Sequence, residues 1–381
     1  MVSEERKTLS ASIFTLRNSL RFCRAVVEKC ILSHISFHFV FLAAWFLGFL
    51  LAICNTGCKH KETSSAARSP WLKDDPKDVV SQTVLWEAYV DEGRKAYSDG
   101  RYEEAEKLFK EAMQEAEKFG PENYRMGQSL YWLGAVVWDL GRPAEAKPLL
   151  ERALGIIEHL KSTETAMPSR QIVMADILGR LSEIEADNEN YSLAKALANK
   201  AAKISRDVGN KQLLAVSLKN LINVHIKSGD YNAAMEAFSE LIQLEPNNPS
   251  YYYERALLWK HNGDYESAVA DLTRALELQP EHPRLLNELA WILSTCGADQ
   301  IRNGRRSVEL AQKAVEITKR KNPQCLDTLA AAYAETGQFD MAVKAQQQAI
   351  SLLTDPEEIE IHLTRLRLYV DHKPYREINK K

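Results

Sequence analysis

Two stretches of this chain, "SGDYNAAMEAFSELIQLEPNNP" at residues 228–249 and "NGDYESAVADLTRALELQPEHP" at 262–283, follow one template. Their glycines, Gly229 and Gly263, stand 34 residues apart. Before Gly263, Tyr252, Ala256 and Trp259 fall at i, i+4 and i+7, the apolar stripe of a helix. After it come Tyr265 at the turn, then Ala268, Leu272 and Ala275 on a second helix that ends before Pro280. Around Gly229 stand Leu218, Leu221 and His225, then Tyr231, Ala234, Phe238, Leu241 and Pro246. The pattern predicts two helices joined by a tight turn. Glycine admits the turn, alanines let the helices approach closely, and aromatic rings fill the gaps.

Five further units follow the template less strictly. Tyr89, Gly93, Tyr102, Ala105, Phe109 and Ala112 surround Gly100. Leu130, Leu133, Gly134, Ala146, Leu150 and Ala153 surround Gly141, with Pro143 in the aromatic place. The weakest unit has Glu189 at its turn, followed by Tyr191, Ala194, Ala198 and Ala201. Near Gly297 stand Leu286, Leu289, Ala290 and Leu293; after the insertion "ADQIRNG" (298–304) the second helix resumes with Ser307, Ala311 and Ala314. The last unit carries Leu326, Leu329, Ala330, Tyr333, Phe339, Ala342 and Ala349 around Gly337. The first three units run 40 to 48 residues, with longer second helices such as "EKLFKEAMQEAEKF" (106–119). This chain resembles the tetratricopeptide repeat (TPR) family, whose unit is a 34-residue helix-turn-helix. The resemblance implies an all-α superhelix, an α-solenoid of about seven units over residues 83–353, with the first helix of each unit on the concave side. One such unit cannot bury its own stripe, whereas stacked units share a continuous core. Residues 354–381 are expected to add a capping helix, "DPEEIEIHLTRLRLYV" (355–370), and a tail.

The N-terminal region is different in kind. Residues 1–60 hold seven Lys or Arg and three acids, while the remainder holds 42 basic and 49 acidic residues, a net of −7. A mildly acidic body is a poor partner for nucleic acid. Residues 1–34 form a basic region. The run "FVFLAAWFLGFLLAIC" (39–54) has 16 residues without a charge, and extended back through Ile35, Phe37 and His38 it reaches spanning length. Residues 35–58 therefore read as a transmembrane helix or an export signal preceding the array. Arg17, Arg21, Arg24 and Lys29 would hold the N-terminus on the cytoplasmic side, placing the array outside a bacterial cytoplasmic membrane. Gly57 directly before Cys58 resembles a lipoprotein lipobox, which implies lipidation of Cys58, although Asn55 stands where an aliphatic residue is usual. An uncleaved single-pass helix is the other reading. Cys54, Cys58 and His60 do not have the C-x-x-C-H spacing of haem attachment, nor enough ligands to close a metal shell. Residues 59–82, beginning "KHKETSSAARSPWLKDDPKD", read as a polar linker.

No catalytic grouping emerges. The chain lacks G-x-x-x-x-G-K-[ST], G-x-S-x-G and H-E-x-x-H, and among His159, His225, His261, His282, His362 and His372 no pair sits at i, i+4. Carboxylates in "DEGRKAYSDGRYEEAEK" (91–107) alternate with basic residues at helical spacing, which describes a solvated face. His225 falls on a stripe position and reads as a packed ring. Cys296 and Cys325 are expected to be free thiols, at opposite ends of neighbouring helices about 16 Å apart, beyond the reach of a disulfide. No metal, cofactor or small-molecule substrate is indicated. The expected function is a membrane-anchored, non-catalytic scaffold that holds a protein or peptide partner. The alternative is a regulatory subunit of an envelope enzyme or of a secretion or pilus complex.

The resemblance places a partner groove on the concave face. It comprises Arg94, Tyr97, Tyr131 and Trp138 near one end, then Lys219, Asn223, Tyr253, Arg284 and Trp291. Rings beside cations and amides suit an extended peptide, offering stacking area and hydrogen bonds to its backbone. Lys219 and Asn223, four apart on one helical face, resemble two residues of the clamp by which chaperone-binding TPR domains hold a peptide carboxylate. Arg284 falls at a third position of that clamp, whereas Glu254 and Glu288 depart from it and would repel a carboxylate.

Overall fold

The computed structural model describes residues 76–160 and 167–377. The basic N-terminal region, the anchor at 35–58, Cys58 and most of the linker lie outside the described residues, as do 378–381. Fifteen helices and no strands are found among the described residues. Seven pairs come first. They are α1 (Pro76–Ser98) and α2 (Tyr102–Glu117), α3 (Tyr124–Asp139) and α4 (Pro143–His159), α5 (Met167–Asp187) and α6 (Tyr191–Val208), and α7 (Lys211–Lys227) and α8 (Tyr231–Leu244). There follow α9 (Pro249–His261) and α10 (Tyr265–Leu278), α11 (Pro283–Thr295) and α12 (Gly304–Ile317), and α13 (Pro323–Glu335) and α14 (Phe339–Ser351). A single helix, α15 (Pro356–Val370), closes the array. Helix α1 is described from Pro76 and so includes residues 76–82 of the stretch read as linker.

The turn between paired helices is one motif used repeatedly. At Gly263 the backbone enters the left-handed region, φ +80°, and an added Cβ would be strained there whatever the space. Its N–H donates to Lys260 O (3.0 Å) and the following Asp264 N–H donates to Trp259 O (2.9 Å), closing the last carbonyls of α9. The Asp264 carboxylate then accepts from the Ser267 N–H at 3.0 Å and so caps α10. Gly229, with Asp230 capping α8, repeats this arrangement. At the weakest unit Glu189 adopts the same conformation, φ 62°, and Asn190 N–H reaches Glu185 O at 2.8 Å.

The stripe alanines lie at the helix contacts: Ala105, Ala146, Ala194, Ala234, Ala268, Ala275, Ala311 and Ala342 have no exposed surface. Glycines mark the closest approaches, since a Cβ at Gly93 would meet Phe109 Cε1 at 2.6 Å and one at Gly134 would meet Leu150 Cδ2 at 2.8 Å. His225 is a packed ring, 3.4 Å from Asp230 through Nδ1, and burial pushes its pKa down. Cys296 and Cys325 are both buried and free. The second helices α2, α4 and α6 span 16, 17 and 18 residues, against 14 for α8, α10 and α12, as the longer early repeats require.

Curvature follows from which helices meet. At four of the six junctions between units, first helices pack against their counterparts: α1 on α3, α3 on α5, α5 on α7 and α11 on α13. Among the described residues no two second helices pack together to a comparable extent. The first helices therefore form the inner, concave wall. Among the described residues no helix is long and apolar enough to cross a membrane.

Candidate peptide-binding groove

The inner wall carries three groups of side chains. In the first, α1, α3 and α5 bring Tyr97, Asp139 and Arg180 together. The Tyr97 hydroxyl donates to Asp139, and Arg180 donates to Tyr97 Oη at 3.3 Å, to Asp176 at 2.9 Å and to Asp139 at 3.4 Å. Burial, then the bond to Asp139, pushes the Tyr97 pKa up to about 12, so the phenol stays protonated. Burial opposes the charge on Arg180, and Asp176, Asp139 and Tyr97 together outweigh it, raising its pKa. Arg94 is exposed, with its guanidinium 5.4 Å from the ring centre of Trp132, and Tyr97 meets that ring edge-on at 5.8 Å. Tyr131 is 9% exposed and Trp138 is half-buried against the core. Of the four residues expected here, Arg94 offers the free surface; Tyr97 and Tyr131 form the floor. Arg180 and Trp132 were not singled out from sequence. A signal existed, because Asp139 and Arg180 sit 41 residues apart, about one long repeat, on successive first helices.

The second group lies on α7, α9 and α11. Lys219 is exposed, with its ammonium 5.5 Å from the centre of the Tyr251 ring. Asn223 is half-buried one turn further along α7. Arg284 is exposed, donates to Tyr253 Oη at 3.3 Å and lies 5.4 Å from the centre of that ring. A hollow of about 380 Å³ adjoins it, lined by Tyr253, Arg284, Asn287 and Glu288 among others. Glu288 pairs with Lys260 at 3.2 Å, so its charge is balanced and does not stand free to repel a carboxylate. The structure thus joins Tyr253 to Arg284, while Lys219 attends a neighbouring ring.

The third group corrects the reading of Trp291 as an open groove residue. Beyond α15 the chain turns at His372 (φ 56°) and runs extended back across the inner wall. Tyr375 packs on Trp291 with ring centres 5.8 Å apart. The Arg365 guanidinium lies 5.1 Å from the Trp291 ring and 5.2 Å from Tyr375, and its charge is held by buried Asp327. Arg376 reaches Glu335 at 2.5 Å and donates to Ser294 O at 3.3 Å. The Glu377 N–H donates to Thr295 O at 2.8 Å. Sequence periodicity gave no warning of this, since an extended segment has no helical stripe.

Three tetratricopeptide-repeat family models match the chain, over residues 93–159, 221–288 and 324–353. No curated protein matches it in sequence. Among solved structures, the C-terminal part of a TPR repeat-containing protein from Cytophaga hutchinsonii superposes with a TM-score of 0.54 at 14% identity, covering 72% of this chain and 99% of that one. PilF of Pseudomonas aeruginosa gives a TM-score of 0.44 at 15% identity over 74% of this chain and 99% of its own. YrrB, described as a TPR protein with an unusual peptide-binding site, gives 0.41 at 15% identity over 58% and 98%. With three matched segments lying on paired helices that share one turn motif, the chain belongs to the tetratricopeptide-repeat family.

Proposed function

We propose that the chain is a non-catalytic scaffold that grips an extended peptide segment of a protein partner along its first helices, and that residues 35–58 hold it at a membrane. The observation that carries the reading is the pair of exposed cations on the inner wall, Lys219 over Tyr251 and Arg284 over Tyr253. Each is pre-positioned by a ring, leaving N–H donors for backbone carbonyls or a carboxylate of the partner. The aromatic floor supplies apolar contact area at low entropic cost. The half-buried Asn223, one turn from Lys219 on α7, adds an amide able to pair with a peptide backbone.

A photo-reactive residue placed at Asn223 is expected to capture the partner, and the same residue at exposed Lys203 on α6 is expected not to. Equal capture from both positions would remove the groove. For the anchor, the full chain is expected to stay with membranes through a carbonate wash. Palmitate labelling lost in Cys58→Ala would identify a lipid anchor, and retention without labelling a single-pass helix. Release of a full-length chain by the wash would end the membrane reading.

A further inference from the structure

At most turns of the array the last carbonyls of the first helix are closed by the glycine turn, as at Lys260 O and Trp259 O. Unit six is built otherwise. The inserted loop between α11 and α12 returns only one such bond, from Asn303 N–H to Leu293 O at 2.9 Å. Ser294 O and Thr295 O face the inner wall instead, at the negative end of a helix that favours cations and N–H donors. Arg376 and the Glu377 N–H fill those two acceptors, and Glu335 adds a carboxylate for the same guanidinium. One residue earlier, Tyr375 covers Trp291.

From this geometry we infer that the end of α11, with Trp291 and Glu335, is a binding site for an extended segment in which an aromatic residue directly precedes an arginine. The chain's own residues 374–377 are its resident ligand, and a partner bearing the same pair binds by displacing them. The inference rests on the groove reading above and specifies the partner's chemistry. Every element of the recognition is present. A ring stacks on Trp291, with Arg365 held against both rings by Asp327. The arginine spans a carboxylate and a helix-end carbonyl. A main-chain N–H takes the neighbouring carbonyl and fixes the direction of the segment.

A short tether presents the tail at an effective concentration of order mM. A tail resident there at least about nine-tenths of the time must bind as a free peptide with a Kd of about 0.1 mM or tighter. A labelled peptide of residues 371–381 is titrated by anisotropy against the intact full chain and against a full chain carrying Tyr375→Ala and Arg376→Ala. Binding to the vacated chain should be at least about tenfold tighter than to the intact one. A peptide with the same two substitutions should bind the vacated chain at least about tenfold more weakly. Arg376→Gln alone serves should the double variant lose its helical circular dichroism. Equal binding to intact and vacated chains, or no saturation by about 1 mM, overturns the proposal. Partner capture at Asn223 together with failure of the tail peptide would end this inference and leave the groove standing. Tail binding without capture would do the reverse.

Discussion

Glu189 does the work that glycine does at Gly100, Gly141, Gly229, Gly263 and Gly337, all at positive φ. It is exposed, and its backbone is held by bonds on both sides, from its own N–H to Ala186 O and from Asn190 N–H to Glu185 O. A residue with a Cβ costs about 1–2 kcal/mol there, part of which glycine would return through its freer unfolded state. Glu189→Gly should therefore stabilise the fold by about 1 kcal/mol, raising the thermal midpoint by a few degrees. An unchanged or lower midpoint would mean that the Glu189 side chain contributes something its exposure does not reveal. The position was legible as a turn because its neighbours keep register with Tyr191, Ala194 and Ala198, even though the signature residue is missing. The strained backbone was not legible, since φ belongs to the hydrogen bonds that close α5 and not to the residue type.

At the scale of the element, α8, α9 and α10 are joined by one arginine. Arg255 makes a two-pronged pair with Asp271, at 2.8 and 2.7 Å, and donates to Ser239 Oγ at 2.8 Å. Asp271 is buried. Asp271→Ala strands this guanidinium and should destabilise the array by about 1.5–3 kcal/mol, measured by urea unfolding. Replacing Arg255 and Asp271 together by Leu should recover much of that loss, because an unpaired buried charge costs more than the pair contributes. A loss as large in the double variant as in the single would show that the three helices need the polar tie itself. Helices and their apolar faces could be read from 3.6-residue periodicity, as Ala268, Leu272 and Ala275 illustrate. The ties could not. Arg255 and Asp271 lie on different helices, and each alone looks like part of a solvated face. The same limit hid Arg180 in the first group. For the tail the reason differs: Tyr375 and Arg376 occupy an extended stretch, where no period marks which side is covered.

Across the described array, first helices meet first helices at four of the six junctions between units while second helices stay apart, and the first helices carry Arg94, Tyr97, Lys219, Asn223 and Arg284. The seven-unit register and the choice of inner face followed from alanine and glycine spacing and from the family resemblance. Which of the inner residues remain open did not. Tyr131 sinks into the floor, Trp291 is covered by the tail, and Glu288 is balanced by Lys260. Exposed at the centre are Lys219 and Arg284, each seated on a tyrosine, with Glu254 beside Arg284. A charge-assisted bond contributes about 1.5–3 kcal/mol, so loss of both cations should cost at least about a hundredfold in affinity. The decisive measurement is a titration of the segment captured at Asn223 against the wild-type chain and against Lys219→Ala with Arg284→Ala, both shown by circular dichroism to be folded. A weakening of about a hundredfold or more is the predicted result, and an unchanged affinity would contradict peptide binding on the concave face at these cations.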